Sequence, residues 1–192
     1  VTTEQIVGTI RADRPLLVLA VKEEAQFLPE GLPVLITGIG KINTTLALST
    51  VLASTRPSAL INLGTAGALR PGLAGLHEIG TVLQHDLDTD LLRRLTGETY
   101  GAPIAVRPDG LTLASGDTFV AGGPVRDALA RRAQLVDMEG YAVAAVGEHF
   151  GVPVRLVKQV SDDADESAAK SWPVAVAECA RVLAGWVSRE LA

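Results

Sequence analysis

Apolar runs only four to nine residues long, alternating with stretches of helical spacing, constrain this chain more than any other feature. Residues 15–21, 33–37, 59–63, 78–83, 111–114, 134–138 and 152–160 read as seven buried strands. A short helix is expected from Lys22 to near Pro29, and a longer one over 41–55, where Ile42, Leu46 and Leu48 show helical spacing. Further helices fall at 124–132, 139–150 and from about Pro173 to the C-terminus. Alternation of this kind predicts an α/β fold: a single-domain α/β/α sandwich over residues 1–192, with a central mixed, largely parallel sheet. Residues 103–110 read as a surface loop.

Composition agrees with that reading. The chain is 47% hydrophobic but only 4% aromatic, so its core is built from Ala, Val, Leu and Ile, as strands covered on both faces require. The formal net charge of −5, with acids and bases interspersed, excludes an electrostatic footprint for nucleic acid or an anionic membrane. No apolar run approaches a membrane span, and the N-terminus shows no basic-then-apolar targeting pattern. The single cysteine, Cys179, allows no disulfide within the chain, which fits a reducing, cytoplasmic location.

Polar residues gather just after the C-terminal ends of the apolar runs, the edge where open α/β sheets bind ligands. Glu24 follows the first run, Thr65 the third, Asp117 the Ser115-Gly116-Asp117 segment, Glu139 the sixth and Asp162 the seventh. Taken singly, each has a structural explanation. Glu24 and Glu139 stand at helix starts, where acids suit the dipole, and Ser161 is a candidate N-cap. Their joint placement on one rim points instead to a site.

Five segments stand in an order that resembles the purine nucleoside phosphorylase/nucleosidase superfamily. They are Gly38-Ile39-Gly40-Lys41, Asn62-Leu63-Gly64-Thr65-Ala66-Gly67, Ser115-Gly116-Asp117-Thr118-Phe119, Val136-Asp137-Met138-Glu139 and Val160-Ser161-Asp162. The pattern is most similar to the 5′-methylthioadenosine/S-adenosylhomocysteine nucleosidases. The resemblance implies an N-glycosyl hydrolase acting on a purine nucleoside, with water as co-substrate and no metal or other cofactor. Asp162 then matches the general acid that protonates the purine, and Glu24 the residue that deprotonates the attacking water. Glu139 matches the group that grips the ribose hydroxyls, with Met138 against the ribose. Phe119 would stack on the base and Val120 read its edge by its backbone, while Thr65, Ala66, Gly67 and Ser161 complete the substrate-binding set. The structural alternative for Met138 and Phe119 is ordinary core. A homodimer is also implied.

This chain departs from the pattern at several places. The 68–114 region is shorter than in typical members, Lys22 stands at the first of three usual acids, and Asp137 replaces the more usual Glu. Phosphorylases of the superfamily resemble a GDPxR segment where this chain has Val21-Lys22-Glu23-Glu24, and carry an arginine where it has Asn62. A phosphate dianion without arginines is poorly held, so hydrolysis is expected. Other readings are a futalosine hydrolase, a phosphate-dependent phosphorylase and a non-catalytic nucleoside-binding protein on the same fold. The acidic stretch Gln84–Asp90 suggests a solvated loop rather than a metal site.

Overall fold

The computed structural model describes residues 5–191, the side chains of 170 and 171 excepted. Residues 1–4, on which part of the N-terminal reading rests, and residue 192 lie outside the described residues. The first half of the chain runs β1 (Gln5–Val7), β2 (Leu16–Leu19), α1 (Lys22–Ala25), β3 (Val34–Ile36), α2 (Lys41–Ser54), β4 (Leu60–Ala68) and β5 (Leu76–Gln84). The second half adds α3 (Thr89–Thr96), β6 (Ile104–Ala105), β7 (Leu111–Ser115) and α4 (Gly123–Leu129). It closes with β8 (Leu135–Asp137), α5 (Gly140–Phe150), β9 (Val154–Asp162) and α6 (Ala168–Glu190).

The strands form one mixed sheet in the order β1-β3-β2-β4-β8-β7-β5-β6, with β9 pairing both β4 and β5. Strands β8, β7, β5 and β9 lead from β4 back to β4, so this part of the sheet closes into a five-stranded ring. The β2–β3, β2–β4, β4–β9, β5–β7 and β7–β8 pairs are parallel. Four further pairs, β1–β3, β4–β8, β5–β6 and β5–β9, are antiparallel.

Period-two alternation builds the layers. Leu16 and Val18 of β2 pack with Leu48 and Leu52 of α2 and with Val143 and Val146 of α5. Leu17 and Leu19 point the other way, to Leu183, Trp186 and Val187 of α6. Each fully buried leucine stabilises the fold by roughly 1.5–3 kcal/mol. A third cluster, including Leu69, Leu83, Val120, Leu129 and Val136, fills the space under α4. Among the described residues no helix is long and apolar enough to cross a membrane.

The structure differs from the sequence expectations at element ends. Strand β4 does not stop at Leu63 but continues through the glycines, pairing Gly64 with Lys158 and Gly67 with Asp162 beyond a register shift. Strand β9 likewise runs on to Asp162. Helix α6 begins at Ala168, ahead of Pro173, which lies inside it. The acidic stretch is not a free loop: Asp88 caps the unforeseen α3 by accepting from Leu91 N at 2.9 Å. Asp86 takes the Lys41 ammonium and the Asp117 N–H. Residues 104–105 of the expected surface loop form the edge strand β6 against Thr81 and Val82.

Candidate active site

One cavity of about 140 Å³ opens at the C-terminal ends of β4, β8 and β9. Glu24 and Asp162 line it, as do Thr65, Ala66 and Gly67 of β4. Phe119, Val120, Met138, Glu139 and Ser161 line it too, so ten of the eleven residues expected at a site face this one space. Asp117 does not line it. Its Oδ1 accepts from Lys41 N at 2.7 Å and so anchors the start of α2.

The GIGK turn shows why the rim holds its shape. Gly40 has φ +95°, a left-handed conformation that glycine tolerates, and its N–H donates to Glu139 Oε1 at 2.7 Å. A Cβ there would lie 3.0 Å from Asp117 Oδ1. Two N–H groups at the start of α2, those of Gly40 and Lys41, are thus taken by the protein's own carboxylates. Glu139 is the N-cap residue of α5, yet its side chain makes no capping bond and reaches across to Gly40 instead. Ser161 is no N-cap either: it lies in β9 and donates to Asp162 Oδ2 at 2.7 Å. Asp162 Oδ1 accepts from Ala164 N at 2.9 Å. Phe119 is 46% exposed and Met138 partly so, which sets both apart from the core.

Three carboxyls and one ammonium are buried at the base. Lys158 is 1% exposed and lies 2.9 Å from Asp137 Oδ2. Asp137 also accepts from Gly140 N at 2.9 Å and from the Ser115 hydroxyl. Gly64 is the parallel ladder partner of Lys158, and a Cβ on it would meet Lys158 Nζ at 3.2 Å and Glu24 Oε1 at 3.4 Å. The missing side chain is what lets a lysine from β9 cross toward these acids. Burial opposes the charge on Lys158, but Asp137 and Glu139 outweigh it and hold the ammonium above its usual range. One cation cannot neutralise three carboxylates, so protons remain. Burial, with Asp137 nearby, pushes Glu139 up to about 8. Burial also raises Glu24, against the pull of the Thr65 N–H and of Lys158.

Glu24 is 3% exposed and asymmetrically held. Its Oε1 accepts from Thr65 N at 2.8 Å and Thr65 Oγ1 at 3.0 Å, whereas Oε2 is buried without a partner. Trp172 lines the same pocket and donates Nε1–H to Thr65 Oγ1 at 2.8 Å. Sequence reasoning missed Lys158 and Trp172. Lys158 was hidden inside an apolar strand; a charged residue in a run otherwise buried on both faces was the available signal. Trp172 lies 107 positions from Thr65, and nothing local marks that contact. Asn62, at the position where phosphorylases resemble an arginine, donates to Val18 O at 3.0 Å and does not line the pocket.

This sheet and rim belong to a known class. A family model described as the phosphorylase superfamily matches residues 83–188, more than half of the 192, and the chain belongs to that superfamily. Within it, the chain is 30% identical over 162 residues to a 5′-methylthioadenosine/S-adenosylhomocysteine nucleosidase of Geobacillus kaustophilus, covering 71% of this chain and 68% of that one. The Actinobacillus succinogenes protein of the same name is 26% identical over 208 residues, covering 88% of this chain and 86% of its own. Among solved structures, the Helicobacter pylori nucleosidase of that name, in complex with a pyrrolidine-based ligand, superposes with a TM-score of 0.79 at 22% identity. It covers 93% of this chain and 97% of its own. Futalosine hydrolase of the same organism gives 0.79 at 23% identity, covering 92% and 96%.

Proposed function

We propose that this protein is a purine nucleosidase that uses water to split the base–ribose bond of 5′-methylthioadenosine, S-adenosylhomocysteine or a related nucleoside. The observation that carries this reading is the state of Glu24: a buried pocket carboxyl with one oxygen doubly hydrogen-bonded and the other still able to accept a proton. Loss of the base passes through an oxocarbenium-like ribose. As the C1′–N9 bond breaks, its electron pair moves to the purine, and Asp162 delivers a proton to N7. Water adds to C1′ and gives its proton to Glu24 Oε2. Ser161, whose hydroxyl both donates and accepts, holds Asp162 before and after that transfer. Glu139 receives the ribose hydroxyls and Met138 packs against the sugar. Phe119 stacks on the purine, the Val120 backbone reads its edge, and Thr65, Ala66 and Gly67 form the floor.

Water rather than phosphate is the nucleophile in this reading. No arginine lines the pocket among the described residues, Lys158 is committed to Asp137, and the Gly40 and Lys41 N–H groups at the start of α2 are taken. A dianion beside Glu24 has no partner. The reaction needs no cofactor. A cytoplasmic location is part of the same reading, supported by the free, buried Cys179. So is a homodimer: Ile39 and Phe119 at the rim are 48% and 46% exposed, and Ile42 and Leu46 continue that apolar surface along α2 at 68% and 49%.

The test is base release from methylthioadenosine, S-adenosylhomocysteine, adenosine, inosine and futalosine, with and without phosphate. Free base and free sugar, formed at a rate independent of phosphate, are expected, and the fastest substrate names the nucleoside. A sugar 1-phosphate formed only with phosphate would overturn the assignment of Glu24. No release from any of the five would favour a binding protein.

A further inference from the structure

Thr65 lies between a donor and an acceptor whose chemistry fixes its proton. Trp172 Nε1 is 2.8 Å from the Thr65 hydroxyl, and an indole N–H can only donate. It therefore occupies a lone pair of Oγ1, and the single hydroxyl proton is left for Glu24 Oε1, 3.0 Å away. The Thr65 N–H converges on the same Oε1 at 2.8 Å. With two donors on Oε1, the carboxylate is fixed in orientation, and Oε2 remains the unpartnered oxygen.

We propose that Trp172 is a positioning residue for Glu24: its indole N–H orients the Thr65 hydroxyl so that Oε1 is engaged and Oε2 is presented to the attacking water. This deepens the hydrolytic reading and rests on it. Any aromatic ring would serve as an apolar wall at this place. Only a donor-bearing ring sets the direction of the Thr65 proton. Without the indole N–H, that proton is free to turn away, and the carboxylate loses a hydrogen bond that stabilises its charged form.

Trp172→Phe keeps the ring and removes the donor. Turnover should fall about tenfold with KM nearly unchanged, since the substrate contacts remain. The acidic limb of the kcat profile should also move to higher pH, because Glu24 then ionises less readily. In a Thr65→Val background the same substitution should cost nothing more, since the group it acts through is gone. An unshifted pH profile, or the same tenfold loss in Thr65→Val, would overturn the proposal and leave Trp172 as a wall. A second readout does not depend on activity. The chain has two tryptophans, so ¹⁵N labelling gives two indole N–H signals, and Trp172→Phe identifies the relevant one. That signal should shift in Thr65→Val and in Glu24→Gln. Indifference to both would overturn the relay even in an active enzyme. A responsive signal in a protein that releases no base would uphold the relay and retire the hydrolytic reading instead.

Discussion

A lysine that is 1% exposed has to find its counter-charge inside the protein, and Lys158 finds it in Asp137, with Glu139 and Glu24 close by. Removing it would leave those acids facing one another in a site of low polarity. Lys158→Met should therefore destabilise the fold by about 3–5 kcal/mol in a denaturant titration, the usual cost of breaking a buried pair from one side. The opposite profile is expected at Asp162, which is only partly buried and bonded to its near neighbours Ser161 and Ala164. Asp162→Asn preserves shape, keeps an acceptor for the Ala164 N–H and can donate to a turned Ser161 hydroxyl, but cannot deliver a proton to the purine. Base release should drop by about 10²–10⁴-fold with an unchanged melting temperature, and wild-type-like turnover would remove Asp162 from the chemistry.

At the scale of elements, the position of Glu139 depends on how α5 lies against the sheet. That contact is made through Gly147, where a Cβ would stand 2.2 Å from Val154 Cγ2 and 3.0 Å from Val152 O. Alanine is the better helix former by about 1 kcal/mol, but the opposing atoms belong to a stiff β-branched side chain and to backbone. Overpacking should win. Gly147→Ala is expected to cost about 1–3 kcal/mol of stability, read from thermal unfolding, where an exposed helical glycine would gain from the same change. The apolar strand runs were legible in the sequence, because such a run is a local property; of α2 only the helix itself was, since Ile42 and Leu46 stand exposed while Leu48 and Leu52 pack inward. The ends of β4 and β9 were not. Glycines read as turn signals, yet here they extend a strand because Lys158 and Asp162 need the space that a side chain would fill.

For the whole molecule, two balances matter. The first is protonic. Folding raises Glu139 from an ordinary 4.5 to about 8, so the folded chain keeps a proton that the unfolded chain releases. The resulting stabilisation is fully present below 4.5 and is lost as pH rises through about 8, and burial of Glu24 acts in the same direction. Urea midpoints of wild type should decline between about pH 5 and pH 9, and Glu139→Gln should flatten that slope. The second balance is between exposed apolar surface and a partner. With Ile42 68% exposed beside Ile39 and Leu46, sedimentation of the wild type should show a dimer, and Ile42→Asp a monomer. A wild type that sediments only as a monomer at micromolar concentration would sink the dimer.

The sequence alone determined the alternating α/β architecture, the family resemblance and ten of the residues that line the pocket. Those features rest on local periodicity and on short ordered motifs, both carried by neighbouring residues. Only the tertiary structure decided which atoms act on which. It placed Lys158 across Gly64, took Glu139 from a helix cap to the Gly40 N–H, and brought Trp172 to Thr65. Such contacts join positions about a hundred residues apart, and hydrogen-bond geometry and burial exist only after the chain has closed on itself. The protonation of the buried acids follows from that closure, since desolvation and the distance to a counter-charge are properties of the folded site and of no segment within it.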